Sequence, residues 1–326
     1  MWAGMGYSER EIIERVFNMF RWHPKELMGR GDDVAVLEAR GLYYVYHIDS
    51  FVWSTDFLPG MSFRDAGWKA VVSSLSDLAA KGAKPLGVLV SGGFQPEWTR
   101  NNVTEVLLGI DEAVRVYDTY VLGGDTNESS DGFLSVFTLG ISKHKPPSRR
   151  GAKPGDYIVI TGLLGVTSTA YKILLEGFKA PDYIKKSVLE AVYRPKARFD
   201  AGYSIAPMAS ASMDISDGLA LSLHQMCELS GVGAYIEEIP IHPLALEFSR
   251  IHDLRVDRLI LYEGGEEYEL LFAIPPEKLR DAFKAAKNAN IDLHVIGKFT
   301  EEKRLVYKFG DDIYPLDKAG WEHLRG

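Results

Sequence analysis

One predicted helix constrains the fold of this chain more than any other stretch. Apolar residues recur at helical spacing over residues 68–79, which predicts a helix with a wide apolar face that must pack against other elements. Ser62 and Asp65 have the spacing of a capping box ahead of this helix. Gly82 and Pro85 follow it in the usual order of helix-ending residues. We therefore expect the rest of the fold to be arranged around this segment.

The other face of the predicted helix carries Asp77 beside the small residues Ser73 and Ser74. Small neighbours leave space for a ligand to approach this carboxylate. The ordinary alternative is an exposed ion pair between Asp77 and Lys81, which are one helical turn apart. Further carboxylates in similar surroundings favour the ligand site.

Six of these carboxylates follow short predicted strands or lie in turns, next to glycine, serine or threonine: Asp32, Asp33, Asp49, Asp125, Asp214 and Asp217. Aspartate is common at turns, but small neighbours also let an anionic ligand come close. Converging carboxylates repel one another, and Mg²⁺ relieves this repulsion while it bridges to phosphate. Because no set of histidine or cysteine ligands accompanies them, they indicate magnesium and phosphate rather than zinc or iron.

Donors for phosphate groups are also present. Backbone N–H groups of residues 123–124 and of the predicted helix start at residues 216–218 could bind phosphate oxygens. Arg149, Arg150 and Lys153 could reach the same phosphates from a loop. The chain contains neither a P-loop motif nor the loops of protein kinases, so a different phosphate-binding scaffold is needed.

Composition limits the partners. The chain has 326 residues and a net charge of −8, which disfavours duplex nucleic acid and anionic membrane surfaces as partners. A single cysteine, Cys227, excludes an internal disulfide and favours a reducing compartment. No apolar run approaches the ~18 residues of a membrane span. We therefore expect a cytoplasmic protein.

Strands and helices interleave along the chain, which indicates the α+β class with two mixed α/β domains. The clearest boundary is residues 143–155, where adjacent prolines, several charges and two glycines indicate a linker or a long exposed loop. We place the domains at residues 1–145 and 146–326.

Motifs in the same order resemble those of thiamine-monophosphate kinases, a family within the aminoimidazole-ribotide synthetase superfamily. The matching segments span nearly the whole chain and are 31–36, 49–52, 75–83, 123–126, 151–156, 214–219 and 264–271. Residues 55–60 and 124–128 resemble the archaeal branch. The resemblance implies ATP-dependent phosphorylation of thiamine monophosphate to thiamine diphosphate by direct in-line transfer.

The same resemblance implies a homodimer in which the N-terminal domain binds ATP and magnesium and pairs through its sheet. The C-terminal domain would complete the ATP and substrate cleft. Several Mg²⁺ ions would be held by six carboxylates: Asp33, Asp49, Asp77, Asp125, Asp214 and Asp217. Of these, Asp49, Asp77 and Asp217 are expected to be catalytic.

Contacts to ATP are implied for Gly124, Asp125, Arg150 and Ser216. The thiamine part would contact Glu266 and Trp321, the latter by stacking on a cationic ring. Asp56 stands where the family often has a substrate-contacting histidine.

Two other functions fit the same motifs. One is a superfamily relative that uses ATP to activate an amide or carboxylate oxygen, as a cyclo-ligase or a maturation dehydratase. The other is a regulatory protein that binds metal and nucleotide without catalysis, which Asp56 leaves open. Two residues near the motifs are interpreted as structural: Asp32 as a cap of the turn at Gly31, and His47 as a packing residue.

Overall fold

The computed structural model describes residues 9–320. Its first part contains, in chain order, α1 (Glu9–Met19), β1 (Ala35–Ala39), β2 (Leu42–Val52), α2 (Trp53–Asp56), α3 (Phe63–Ala80), β3 (Lys84–Phe94), α4 (Arg100–Val116), β4 (Val121–Glu128) and β5 (Phe133–Ser142). The five strands form one sheet in the order β1-β2-β5-β3-β4. Only the β3–β4 pair is parallel.

The second part has its own sheet. It contains β6 (Tyr157–Thr161), α5 (Val166–Leu174), α6 (Asp182–Tyr193), α7 (Phe199–Ile205), β7 (Ala211–Asp214), α8 (Leu219–Ser230), β8 (Gly233–Ile236), α9 (Pro243–Ile251), α10 (Val256–Tyr262), β9 (Leu270–Ile274), α11 (Pro276–Asn288), β10 (Leu293–Thr300), β11 (Leu305–Phe309) and β12 (Asp312–Pro315). Its strand order is β12-β11-β8-β10-β6-β9-β7. The two sheets with their helices confirm the α+β class with two mixed α/β domains.

Helix α3 is the predicted central helix, and it starts with the predicted capping box between Ser62 and Asp65. Its apolar side, including Val71, Leu75 and Leu78, is fully buried. Helix α4 crosses it closely, because a Cβ atom at Gly109 would lie only 1.9 Å from the carbonyl oxygen of Arg64. A glycine is therefore needed at this crossing.

The C-terminal part packs on another side of α3. A Cβ atom at Gly202 of α7 would lie 1.9 Å from the carbonyl oxygen of Ala79, and the Ser212 hydroxyl of β7 donates to the carbonyl of Ala80 at 2.7 Å. Small residues thus let both parts of the chain share one helix. This contact brings the end of β7 beside the last two turns of α3.

The predicted linker contains neither helix nor strand between β5 and β6. The hydrophobic core of the N-terminal sheet nevertheless includes side chains from α5 and α6, among them Ile184 and Val188. The domain boundary between residues 145 and 146 stays a prediction, because side chains that follow this boundary pack into the core of the N-terminal sheet.

No helix within residues 9–320 is long and apolar enough to cross a membrane. The cytoplasmic location stays a prediction.

Candidate active site

Three carboxylates from separate elements meet where α3 passes the end of β7. Oxygens of Asp33, Asp77 and Asp214 all lie within 4.8 Å of one another. Asp77 is 8% exposed and Asp214 is 1% exposed. Burial, together with the nearby charges of Asp214 and Asp49, raises the pKa of Asp77 well above its usual range. The group is thus a buried concentration of negative charge supplied by both parts of the chain.

The surroundings of Asp214 show that this group fits a hard cation. Its Oδ2 accepts a hydrogen bond from the Ser76 hydroxyl at 2.6 Å. Its Oδ1 is buried and has no hydrogen-bond partner in the part of the chain that the structure describes. A buried carboxylate oxygen without a partner is costly. Because the atoms available to bind a metal here are carboxylate oxygens, this group of three aspartates suits Mg²⁺.

Two more predicted ligands border this group. Asp49, on β2, adds to the repulsion that raises the pKa of both Asp77 and Asp214. Asp217, in the turn after β7, also raises the pKa of Asp77. Five of the six predicted metal ligands therefore gather at one place.

Asp125 is the exception. Strand β4 continues through Gly123 and Gly124, and all of its residues are exposed. In register, Asp125 lies level with Ser91 and Ser135, and Ser135 is level with Ser50, one residue after Asp49. Because successive residues of a strand point to opposite faces, Asp125 and Asp49 lie on opposite faces of the sheet. Within one chain, Asp125 therefore does not join the acidic group.

Lys81 does not form the ion pair with Asp77 that was the ordinary alternative. Its buried ammonium lies 2.8 Å from Asp32 Oδ1 and 3.3 Å from Asp33 Oδ2, and it donates to the Ser212 carbonyl at 2.8 Å. This cation offsets part of the negative charge beside Asp77. A buried lysine requires such partners, since an unpaired ammonium would be strongly destabilising there.

Arg149, rather than the predicted Arg150, enters the acidic group. Its guanidinium forms an ion pair with Asp33, and its side chain is only 16% exposed. Burial lowers the pKa of Arg149, while the charges of Asp32, Asp214 and Asp217 raise it. Arg150 is exposed and donates to the Arg30 carbonyl at 2.7 Å.

Asp32 fixes the linker to this site, so its interpretation as a simple turn cap is wrong. Its Oδ2 accepts from the Ser148 hydroxyl at 2.6 Å and from the Arg149 backbone N–H at 2.7 Å. The prolines before them, Pro146 and Pro147, are buried. The linker is therefore attached to the acidic site and not simply an exposed loop.

His47, interpreted from the sequence as a packing residue, lies directly beside the acidic group. Its Nδ1 lies 2.6 Å from the carbonyl oxygen of Asp33, which can only accept, so Nδ1 carries the hydrogen. Its Nε2 lies 3.1 Å from Asp77 Oδ2. Burial lowers the pKa of His47, which favours the neutral ring.

A second polar cluster surrounds Glu266, in the loop before β9. Its Oε2 lies 2.6 Å from the ammonium of Lys69 and accepts from the Tyr171 hydroxyl. Its backbone N–H donates to the Ser216 carbonyl at 2.5 Å, which places this loop against the turn that carries Asp217. Asp56 is close enough for Glu266 to raise its pKa, although burial is the larger cause. The structure thus brings together the predicted substrate residues Asp56 and Glu266, whereas Trp321 lies outside the described residues.

Sequence reasoning missed Lys69 and Tyr171, and it assigned Arg150 rather than Arg149 to ATP, whereas Arg149 is the arginine that lies within the acidic group; the ATP contact of Arg150 stays a prediction. Lys69 is separated from Glu266 by most of the chain, so no local pattern links them. Lys69 lies on the same side of α3 as Ser73 and Ser76, so a lysine on the small-residue side of the predicted helix was the available signal. Burying such a side chain requires a partner.

Comparison with known proteins agrees with this arrangement. Residues 31–142 match the family model for the AIR synthase related protein, N-terminal domain, and residues 153–309 match the C-terminal domain of the same family. The thiamine-monophosphate kinase of Pyrococcus abyssi (strain GE5 / Orsay) is 32% identical over 318 residues, covering 98% of this chain and 96% of that protein. That of Nitrosopumilus maritimus (strain SCM1) is 34% identical over 277 residues, with coverages of 85% and 88%.

Solved structures give the same result. The structure described as AaThiL complexed with AMPPCP and TMP superposes with a TM-score of 0.84 at 26% identity and covers 97% of each chain. Thiamine-monophosphate kinase from Aquifex aeolicus superposes with a TM-score of 0.73 at 28% identity, covering 83% of this chain and 89% of that one. The chain therefore belongs to the thiamine-monophosphate kinase family.

Proposed function

We propose that this protein transfers the γ-phosphoryl group of ATP to the phosphate of thiamine monophosphate, giving thiamine diphosphate and ADP. The observation that carries this proposal is the convergence of Asp33, Asp77 and Asp214 between two domains, in a chain that aligns over nearly its whole length with thiamine-monophosphate kinases. Family membership favours this reaction over the cyclo-ligase, dehydratase and regulatory alternatives.

The acidic group suits this chemistry. The acceptor oxygen of a phosphate is already anionic, so the reaction needs no strong base. The difficulty is to bring two anions together in line. Asp33, Asp77 and Asp214 would hold Mg²⁺, with Asp49 and Asp217 beside them. Bound Mg²⁺ would neutralise charge on the phosphates of both substrates.

The protein supplies two further electropositive groups. The guanidinium of Arg149 lies within the acidic group and can bind a phosphate in two-pronged geometry. Helix α8 begins directly after Asp217 and Gly218, so its N-terminal N–H groups face the same turn and favour an anion. We expect Ser216, in this turn, to contact ATP as well.

We include in this proposal a homodimer that pairs through the N-terminal sheets. In one chain, this sheet leaves large apolar side chains exposed, such as Ile48 at 63%, Leu89 at 40% and Leu122 at 56%. Its edge strand β4 is also uncovered. A partner sheet would cover these groups. Gly124, Asp125 and Arg150 would then contribute to ATP binding, and Trp321 to binding the thiamine part.

The test is an incubation of the purified full chain with ATP, Mg²⁺ and thiamine monophosphate, followed by chromatographic separation of the products. We expect thiamine diphosphate from the parent protein and almost none from Asp77→Asn. The control is Asp111→Asn, on the exposed side of α4, where only a surface pair with Arg115 is lost. If the parent binds ATP but forms no thiamine diphosphate, the proposed reaction is wrong.

A further inference from the structure

We propose that Lys69 is a positioning residue that holds the Glu266 carboxylate for the cationic, organic part of the acceptor. This inference rests on the proposed function. Lys69 lies on α3 and its side chain is only 1% exposed. A lysine is almost never buried unless its ammonium is paired, and here the Oε2 of Glu266 lies 2.6 Å away.

The contacts of Glu266 divide its two oxygens between protein and cleft. Lys69 and Tyr171 both donate to Oε2. Within residues 9–320, Oε1 has no hydrogen-bond partner, and 27% of the side chain is exposed. Two donors thus fix one oxygen and leave the other available to a ligand. Because the Glu266 carboxylate is already held in one position, less side-chain entropy is lost when the ligand binds.

The charges around Glu266 favour a cationic ligand. The carboxyls of Asp56 and Glu267 lie close enough to influence the Tyr171 hydroxyl, as Glu266 does. Burial and these charges raise the pKa of Tyr171 well above its usual range, so its hydroxyl remains a hydrogen-bond donor. Lys69 is the ammonium in contact with Glu266, and the carboxyl of Asp56 lies near this pair as a second acidic group.

The Glu266 cluster lies at a distance from the aspartates that one acceptor molecule can span when its phosphate is bound at the aspartates. Lys69 and Ser76 are seven residues apart on α3, so they share one face and lie ~10 Å apart along the helix. Ser76 contacts Asp214. The buried Tyr268 is close to both sites: its backbone N–H donates to the Ile215 carbonyl, next to Asp214, and the charges of Glu266 and Asp49 add to burial in raising its pKa.

The backbone of the loop supports the same conclusion. Glu266 and Tyr268 both have left-handed φ values, 56° and 51°, which are uncommon for residues other than glycine. The Glu266 N–H bond to Ser216 and the Tyr268 N–H bond to Ile215 hold this conformation. Such strain is maintained only when its surroundings determine it, and it concentrates at functional sites.

The experiment compares steady-state kinetics of Lys69→Met and Tyr171→Phe with those of the parent protein. We expect the KM for thiamine monophosphate to rise about 10-fold or more, because a hydrogen bond to a charged group is lost. The KM for ATP should change less than twofold. The matched control is Lys84→Met, which removes an exposed lysine paired with Asp118.

The outcomes separate the two proposals. If the parent forms no thiamine diphosphate, the proposed function is wrong. If the parent is active and Lys69→Met leaves the KM for thiamine monophosphate unchanged, or raises both KM values equally, the positioning role is wrong. If Lys69→Met does not fold, Lys69→Arg is the second variant, because it keeps the charge and moves the hydrogen-bond donor. The inference stands only if Lys69→Arg raises the KM for thiamine monophosphate more than the KM for ATP.

Discussion

Asp77 of α3 and Asp214 at the end of β7 face each other across the contact between the two sheets, with oxygens within 4.8 Å. The charge of Asp214 is one reason why the pKa of Asp77 is raised. Two domains are therefore joined at a point where their side chains repel each other. A cation bound there would convert this repulsion into an attraction between the domains.

The first prediction follows from this pair. Mg²⁺ should raise the melting temperature of the parent protein, because a ligand that binds only the folded state stabilises it by about 2.7 kcal/mol at 100 times its Kd. Asp77→Asn should lose most of this stabilisation. In EDTA at pH 7, the same variant should be at least as stable as the parent, since asparagine removes a buried negative charge. Scanning calorimetry in EDTA and in Mg²⁺ would measure both effects, and a variant destabilised equally in both solutions would contradict the assignment.

The second prediction compares two adjacent arginines. Arg149→Met should lower kcat about 100-fold, because a guanidinium within the acidic site is lost and Asp33 loses its buried partner. Arg150→Met should lower kcat much less and act mainly on ATP binding, since the Arg150 side chain lies outside the acidic group, where it is exposed and donates to the Arg30 carbonyl. Rapid-quench measurement of product formation would compare them. An Arg150 effect as large as that of Arg149 would assign the phosphate contact to the other arginine.

The third prediction concerns the crossing of α3 and α4. Gly109→Ala should lower the free energy of unfolding by about 1–3 kcal/mol, the typical cost of forcing extra volume into a packed contact. The added methyl group would meet the Arg64 carbonyl at 1.9 Å, and both are backbone-fixed. Urea unfolding measures the change. Leu107→Ala, on the exposed side of the same helix, is the control and should be nearly neutral.

The elements with strong local signals could be predicted from the sequence. Helix α3 was expected because its cap, its apolar spacing and its stop residues are all local. Asp77 and Asp214 were found because short polar residues among small neighbours are unusual in a helix and after a buried strand. Local patterns could not show that these carboxylates converge, because convergence depends on the fold. The family resemblance supplied that expectation.

The remaining features depend on distant pairing. Asp125 was placed with the metal ligands because it follows glycines, but the register of β3 and β4 decides which face it takes. The Lys69–Glu266 pair and the Asp32–Ser148 hydrogen bond each join residues more than a hundred positions apart. No periodicity within one element can reveal contacts of this kind.

The last prediction is a pH dependence of stability that comes from Glu267. Its Oε1 accepts from the Gly165 N–H at 2.7 Å, and burial raises its pKa from 4.5 to about 7. In the unfolded chain the pKa returns to about 4.5, so the folded state holds the proton more strongly. The stability contribution of this group is present in full below pH 4.5 and is lost as the pH rises through 7.

Glu267→Gln should therefore be more favourable relative to the parent at pH 8 than at pH 5, by about 2–3 kcal/mol at most. Glutamine stays neutral at both pH values and keeps an oxygen that can accept from Gly165. Urea unfolding of both proteins at the two pH values tests this, with Glu97→Gln in an exposed turn as the control. Parallel pH profiles for the parent and Glu267→Gln would show that Glu267 is ionised throughout this range, and the raised pKa would then be wrong.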